Sequence, residues 1–203
     1  MGDWQQYLER FAWALLIGLG VTLALSITGK VFPPLFNRGD TMAIVGTMLS
    51  KLIAVTAEDG LRFLGMRRMR QRYSLVSSAL VVAIFIALAE NILQFGRVSA
   101  GLADAGQSIE PGILMAVFIA IGAARLLWHF TLCRYYVVFA DNRAWSGVVF
   151  LFVLHVLANS VLALLPFYTA SLKDALYWAC ALLLVAASLA YGACRIWPGL
   201  SRG

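Results

Sequence analysis

The chain consists of six long apolar runs separated by short polar segments. The runs cover residues 11–28, 41–66, 75–95, 113–139, 144–165 and 172–196. Each is predicted to be a transmembrane helix, because about 20 apolar residues cross a bilayer and lipid offers backbone polar groups no partners. Two stretches are predicted loops: VFPPLF, and the Gly-, Ala- and Ser-rich residues 96–112. The pattern predicts an all-α, polytopic transmembrane helix bundle with about six spans, in one domain of residues 1–203.

Composition strengthens the membrane prediction. Of the 203 residues, 62% are hydrophobic and 13% are charged, whereas a soluble domain has about 45–50% apolar and about 25% charged residues. Membrane lipids are therefore the expected surroundings. The net charge of +6 comes mostly from arginines in the short segments between apolar runs. Membrane topology explains these arginines, so no nucleic-acid partner is expected.

The basic residues also predict the orientation of the bundle. The strongest basic segment is RRMRQR at residues 67–72, and short loops rich in arginine and lysine usually face the cytoplasm. With six spans, Arg10, Arg134, Arg143 and Arg195 fall on the same side. The sequence therefore predicts that both termini are cytoplasmic.

Polar side chains interrupt four of the runs. They are Lys51, Glu58, Asp59 and Arg62 in the second run, Glu90, Asn91 and Gln94 in the third, Arg125 and His129 in the fourth, and His155 and Asn159 in the fifth. An ionised side chain near mid-bilayer costs roughly 2.5–3.5 kcal/mol, so these residues are predicted to face the bundle interior. A rise of about 1.5 Å per residue puts Glu58, His129 and His155 at one depth and Glu90 one or two turns deeper.

These side chains allow more than one function. Carboxylates and histidines together can activate water and stabilise an oxyanion, and they can also ligate zinc. A non-catalytic membrane scaffold or binding protein is the alternative, with the polar residues holding the helices together. A small transporter with a proton relay is less favoured, because the chain has no sign of an inverted repeat. Arg134, Tyr135 and Tyr136 are predicted to be anchors at the membrane interface.

Three motifs resemble those of one family. AEDGLR, at residues 57–62, resembles the Glu-Glu-x-x-Lys motif of the PrsW family of intramembrane proteases, with Asp59 for the second Glu and Arg62 for Lys. IALAEN, at residues 86–91, resembles its Phe-Ala-x-x-Glu-Asn motif, and HVLAN, at residues 155–159, its His-x-x-Trp-Asn motif. His129 stands where a further histidine is expected. The motifs keep the family's order, one per helix; the family is related to the CAAX prenyl endopeptidases.

The resemblance implies an intramembrane peptidase, a hydrolase that cleaves a membrane-anchored protein substrate in a bacterial or archaeal cell membrane. It implies catalytic roles for Glu58, Asp59, Glu90, His129 and His155, and supporting roles for Arg62, Asn91 and Asn159. A glutamate would activate water, and the histidines would polarise the scissile carbonyl or bind a metal. A divalent metal such as zinc is the candidate cofactor, with Glu90, His129 and His155 as candidate ligands.

Overall fold

The fold is all-helical, as predicted. A computed structural model describes residues 3–31, 41–104, 106, 108–168 and 171–200, and none of these residues lies in a strand. The described part holds six helices: α1 (Asp3–Val31), α2 (Thr41–Arg70), α3 (Leu75–Asp104), α4 (Pro111–Asp141), α5 (Trp145–Tyr168) and α6 (Leu172–Leu200). All but Val31 of the VFPPLF loop lies outside the described residues.

Four helices, α3, α4, α5 and α6, are long and apolar enough to cross a membrane. Among the described residues, α1 and α2 do not belong to this group. Helix α2 carries Lys51, Glu58, Asp59 and Arg62 along its length, which lowers its hydropathy. The number of six spans therefore stays a prediction. The four apolar helices support an all-helical protein that is embedded in a membrane.

The loop predicted at residues 96–112 is wrong in its first half. Helix α3 continues to Asp104, because alanine favours the helix and isolated glycines cost only about 1 kcal/mol each. Gly106 lies beyond the helix end at φ +62, in the left-handed region that glycine adopts without strain. Helix α4 then begins at Pro111. Proline has no backbone N–H, which costs nothing in the first turn of a helix because the N–H groups there have no partner within the helix.

Helix α4 lies at the centre of the bundle. It packs against α2, α3, α5 and α6, while α1 covers α2 and α3. Its inward residues Trp128, Leu132 and Val137 are buried in the core. The outward faces of the helices are apolar as well, with exposed residues that include Leu64, Leu88, Ile119, Val149 and Leu189. Such broad apolar exposure is unfavourable in water and suits a lipid environment.

One end of the bundle carries the arginine-rich turn between α2 and α3. The Arg10 guanidinium of α1 lies 4.3 Å from the centre of the Tyr73 ring, and the Tyr73 hydroxyl donates to Glu9 Oε2 at 3.0 Å. Burial and the Glu9 carboxylate raise the pKa of the Tyr73 phenol, so it stays a donor. Arg70 pairs with Asp141 at the end of α4. The start of α1, the turn between α2 and α3, and the turn between α4 and α5 therefore lie at the same end of the bundle.

The cellular side of this end can be measured with reporter fusions. Fusions after Arg72 and after Gly203 are expected to report a cytoplasmic position, and a fusion after Asp104 an external one, because basic loops are retained inside. An external signal at Arg72 would reverse the predicted orientation. Inserting two arginines beside Asp104 provides the matched control, since it should weaken the external signal there.

Candidate functional site

The predicted site residues from four helices converge on one buried cluster. We use the name ion cluster for Glu58, Asp59 and Arg62 of α2, Glu90 of α3, Arg125, His129 and Tyr136 of α4, and His155 of α5. All five predicted catalytic residues belong to it, and neighbouring members approach within 4 Å. The helices place these costly side chains against one another and away from lipid.

Arg62 is the centre of the ion cluster. Glu58 and Asp59 precede it by four and three residues, a spacing that puts all three side chains on one face of a helix. The Arg62 guanidinium pairs with both carboxylates, through Nη2 to Glu58 and Nη1 to Asp59. Glu58 and Arg62 are completely buried. The pairing offsets much of the cost of burying two adjacent negative charges.

Asp59 has partners on both carboxylate oxygens. Oδ1 accepts from Arg62, and Oδ2 accepts from the Tyr136 hydroxyl at 2.5 Å. His155 Nδ1 lies 3.1 Å from each oxygen. His155 Nε2 in turn lies 3.3 Å from Asn159 Nδ2, one helical turn along α5. Asp59 therefore connects three helices and fixes the position of the His155 ring.

His129 links Arg62 to Glu90. The Arg62 guanidinium lies 2.9 Å from His129 Nδ1, and His129 Nε2 lies 3.1 Å from Glu90 Oε2. Glu90 therefore meets His129, although the estimate from backbone rise puts it one or two turns deeper. That estimate counted backbone rise alone, whereas the Glu90 side chain and the imidazole ring together bridge the gap between α3 and α4.

A second guanidinium holds Glu90 from the other side. Arg125 Nε lies 3.5 Å from Glu90 Oε2, Nη1 donates to Asn91 Oδ1 at 3.1 Å, and Nη2 donates to Gln94. Asn91 Nδ2 donates to the Phe118 carbonyl at 3.0 Å. This bond needs the glycine at position 122, because a Cβ there would lie 2.8 Å from Asn91 Nδ2.

Sequence reasoning missed two members of the ion cluster. Tyr136 is buried and bonded to Asp59, so its prediction as a membrane-interface anchor is wrong. Arg125 is predicted to lie one helical turn from His129 in the fourth run, but the prediction did not assign it to the site. A signal for both exists in α4: Arg125, His129 and Tyr136 recur at intervals of four and seven, which places them on one helix face.

Two polar atoms of the ion cluster are buried without a hydrogen-bond partner among the described residues, namely Glu58 Oε2 and Arg62 Nε. The other Glu58 oxygen, Oε1, is paired with Arg62 and lies 3.7 Å from His155 Nε2. A buried acceptor without a partner costs about 1–3 kcal/mol. Each of these atoms, the acceptor of Glu58 and the donor of Arg62, has the capacity for one further hydrogen bond, to a water molecule or a polar substrate group.

Two groups of side chains have the chemistry of a metal site. They are Glu58, Asp59 and His155, and Glu58, Glu90 and His129, each with ligand atoms within 4.8 Å of one another. The predicted set of Glu90, His129 and His155 is thus divided between two groups that share Glu58. Arg62 already contacts Glu58, Asp59 and His129 Nδ1. A dication in either group would face this fixed positive charge, so the arrangement does not fit a metal unless Arg62 moves.

No protein-family model, no curated protein and no solved structure matches this chain. The fold and the site together define the class of protein. It is an all-helical protein in which four helices are long and apolar enough to cross a membrane. Its interior holds a cluster of carboxylates, guanidiniums and imidazoles.

Proposed function

We propose that this protein is an intramembrane peptidase that hydrolyses a membrane-anchored protein, with Glu58 as the base that activates water. The observation that carries the proposal is that only one of the two Glu58 carboxylate oxygens has a hydrogen-bond partner among the described residues. Oε1 is paired with Arg62, while Oε2 is buried without a partner. A carboxylate that was only a structural partner would be expected to use both oxygens, as Asp59 does.

The reaction follows from the neighbours of Glu58. Glu58 takes a proton from water, the resulting hydroxide adds to the carbonyl carbon of the peptide, and the C–N bond breaks as the proton passes from Glu58 to the leaving amine nitrogen. The negative charge that develops on the carbonyl oxygen is stabilised by the nearby Arg62 guanidinium, whose Nε–H has no partner. The products are a carboxylic acid and an amine, which become a carboxylate and an ammonium group when the acid passes its proton to the amine.

The net charge of the ion cluster stays the same when Glu58 takes a proton from water, and only its position changes. Three carboxylates, from Glu58, Asp59 and Glu90, face two guanidiniums, from Arg62 and Arg125. With neutral histidines the cluster carries one net negative charge, which costs free energy in a low-dielectric interior. When Glu58 takes a proton from water, this negative charge passes to the hydroxide and then to the carbonyl oxygen, where the Arg62 guanidinium stabilises it.

The entry side of the ion cluster is the side of Glu90 and Arg125. Their side chains are 17% and 11% exposed, compared with 0% for Glu58 and Arg62. A shallow open depression adjoins them, with a cavity volume of about 20 Å³, lined by Asn91 and Gln94 and otherwise by apolar residues of α3, α4 and α6. It has room for a water molecule beside the ion cluster.

The scaffold alternative is supported by Asp59. Its two oxygens are fully used by Arg62, Tyr136 and His155, a pattern typical of a network that holds helices together. A proton relay is disfavoured, because Arg62 lies in the middle of the hydrogen-bond chain. A guanidinium stays protonated and has no acceptor to receive a proton.

A labelled-water assay tests hydrolysis directly. Purified protein in liposomes is incubated with a library of transmembrane peptides in H₂¹⁸O, and new carboxyl termini are detected by mass spectrometry. The expected result is cleavage with one ¹⁸O atom in each new carboxylate, because the attacking oxygen comes from water. A chelator is expected to leave the rate unchanged, since Arg62 opposes a metal. Absence of cleavage across the library, with the Glu58→Gln protein showing lower stability, would support the scaffold alternative.

A further inference from the structure

We propose that Tyr136 is a positioning residue, which acts through Asp59 to keep His155 protonated on Nδ1 and unprotonated on Nε2, facing Glu58. The hydroxyl of Tyr136 donates to Asp59 Oδ2 at 2.5 Å, and Asp59 holds His155 Nδ1 at 3.1 Å from both of its oxygens. This inference deepens the proposed function by assigning a role to a residue that no motif contains.

The proton position on His155 follows from its partners. An ionised carboxylate only accepts hydrogen bonds, so the nitrogen that faces Asp59 must carry the proton. The other nitrogen, Nε2, lies 3.3 Å from the amide nitrogen of Asn159, which donates. Nε2 therefore has a lone pair, which accepts from Asn159 and lies 3.7 Å from Glu58 Oε1. An attacking water that takes the place of the Asn159 amide meets two acceptors for its two protons, His155 Nε2 and Glu58 Oε2.

His129 has the opposite tautomer by the same reasoning. Arg62 has donors and no acceptor, so His129 Nδ1, 2.9 Å from the guanidinium, must accept. The proton of the neutral ring then lies on Nε2 and is donated to Glu90 Oε2 at 3.1 Å. The two histidines thus have different tasks. At His155 Nε2 a water molecule can replace a neutral amide, whereas both nitrogens of His129 are bonded to the charged groups of Arg62 and Glu90.

Tyr136 matters because Asp59 could otherwise turn. Arg62 restrains one carboxylate oxygen and Tyr136 restrains the other. Removing the hydroxyl leaves the Asp59 carboxylate free to rotate towards Arg62, which would weaken its contact with His155 Nδ1. Part of the His155 population then carries its proton on Nε2 and can no longer accept from water.

The chain allows a clean test, because His129 and His155 are its only two histidines. The full-length protein is labelled with ¹⁵N-histidine in nanodiscs, and the imidazole nitrogens are observed by NMR. Two protonated and two unprotonated nitrogens are expected, assigned with His129→Gln and His155→Gln. In Tyr136→Phe the His155 signals are expected to shift towards the Nε2-protonated form while those of His129 stay. Tyr135→Phe is the matched control, since Tyr135 is its buried neighbour with no hydrogen bond to Asp59.

The kinetic readout accompanies the spectra. Tyr136→Phe is expected to lower kcat about ten-fold or more with little change in KM, since a hydrogen bond to a charged group contributes about one to two powers of ten. Asp59→Asn should disturb the same tautomer more strongly. An Nε2-protonated or doubly protonated His155 in the parent protein, or unchanged His155 signals in Tyr136→Phe, would overturn the inference. If the tautomers are as assigned but no peptide is cleaved, the proposed function fails and the role of Tyr136 in setting the His155 tautomer stands.

Discussion

Glu58→Gln is expected to abolish peptide hydrolysis while the protein remains folded in the membrane. Glutamine has the size of glutamate and still offers an oxygen to Arg62, but it cannot take a proton from water. General-base catalysis contributes roughly 10²–10⁴-fold to a rate, so the cleavage rate should fall by about that factor. Arg62 keeps its second partner, Asp59, and the net negative charge of the ion cluster disappears. The free energy of unfolding should therefore fall by only about 1–2 kcal/mol.

The measurement compares initial cleavage rates and thermal unfolding of the same liposome preparations. Glu110→Gln is the matched control, because Glu110 is exposed just before α4 and has no side-chain hydrogen bond to its helix end. That variant should cleave at the parent rate. A Glu58→Gln protein that is stable and still cleaves would remove Glu58 from the mechanism.

Arg62→Met is expected to have the largest effect on stability. It leaves two adjacent buried carboxylates, Glu58 and Asp59, without their common cation, and breaking a buried ion pair in this way costs about 3–5 kcal/mol. His129 Nδ1 loses its donor as well. The variant should accumulate poorly in membranes and unfold at a much lower temperature than the parent.

A second substitution separates the charge effect from lost packing. Glu58→Gln combined with Arg62→Met removes one of the stranded charges, and Asp59 keeps Tyr136 and His155 as partners, so most of the lost abundance should return. Arg68→Met, an exposed position near the end of the same helix, should change the free energy of unfolding by less than about 0.5 kcal/mol. If the double variant were no more abundant than Arg62→Met alone, the carboxylates would not be the cause of the instability.

Glu58→Gln, Arg62→Met and the double variant together also distinguish the peptidase hypothesis from the scaffold hypothesis. A peptidase predicts that Glu58→Gln loses activity far more than stability, because a base is needed for the reaction and only weakly for the fold. A scaffold predicts that stability falls in both single variants and recovers in the double variant, with no hydrolytic activity to lose. Abundance, unfolding temperature and ¹⁸O incorporation, measured together on the three proteins, provide the comparison.

The sequence by itself predicted the helices, apart from the continuation of α3 to Asp104, and the inward positions of Glu58, Glu90 and the two histidines. Lipid imposes helices on long apolar runs, and the cost of an ionised group in hydrocarbon forces Glu58, Glu90 and the histidines towards the bundle interior. Spacing along α2 was enough to pair Arg62 with Glu58 and Asp59, because residues three and four apart share a helix face. These are local or solvent-imposed rules, and they act on each segment separately.

Contacts between helices were decided only by the tertiary structure. Tyr136 has an amphipathic side chain that suits both a membrane interface and a buried hydrogen bond, and only the packing of α4 against α2 brings it to Asp59. The same holds for Arg125, whose partners Glu90, Asn91 and Gln94 belong to α3. The His129 ring closes the gap to Glu90 that backbone rise alone predicts. The physical reason is that helix rotation and side-chain reach depend on what the neighbouring helices present, and no single segment contains that information.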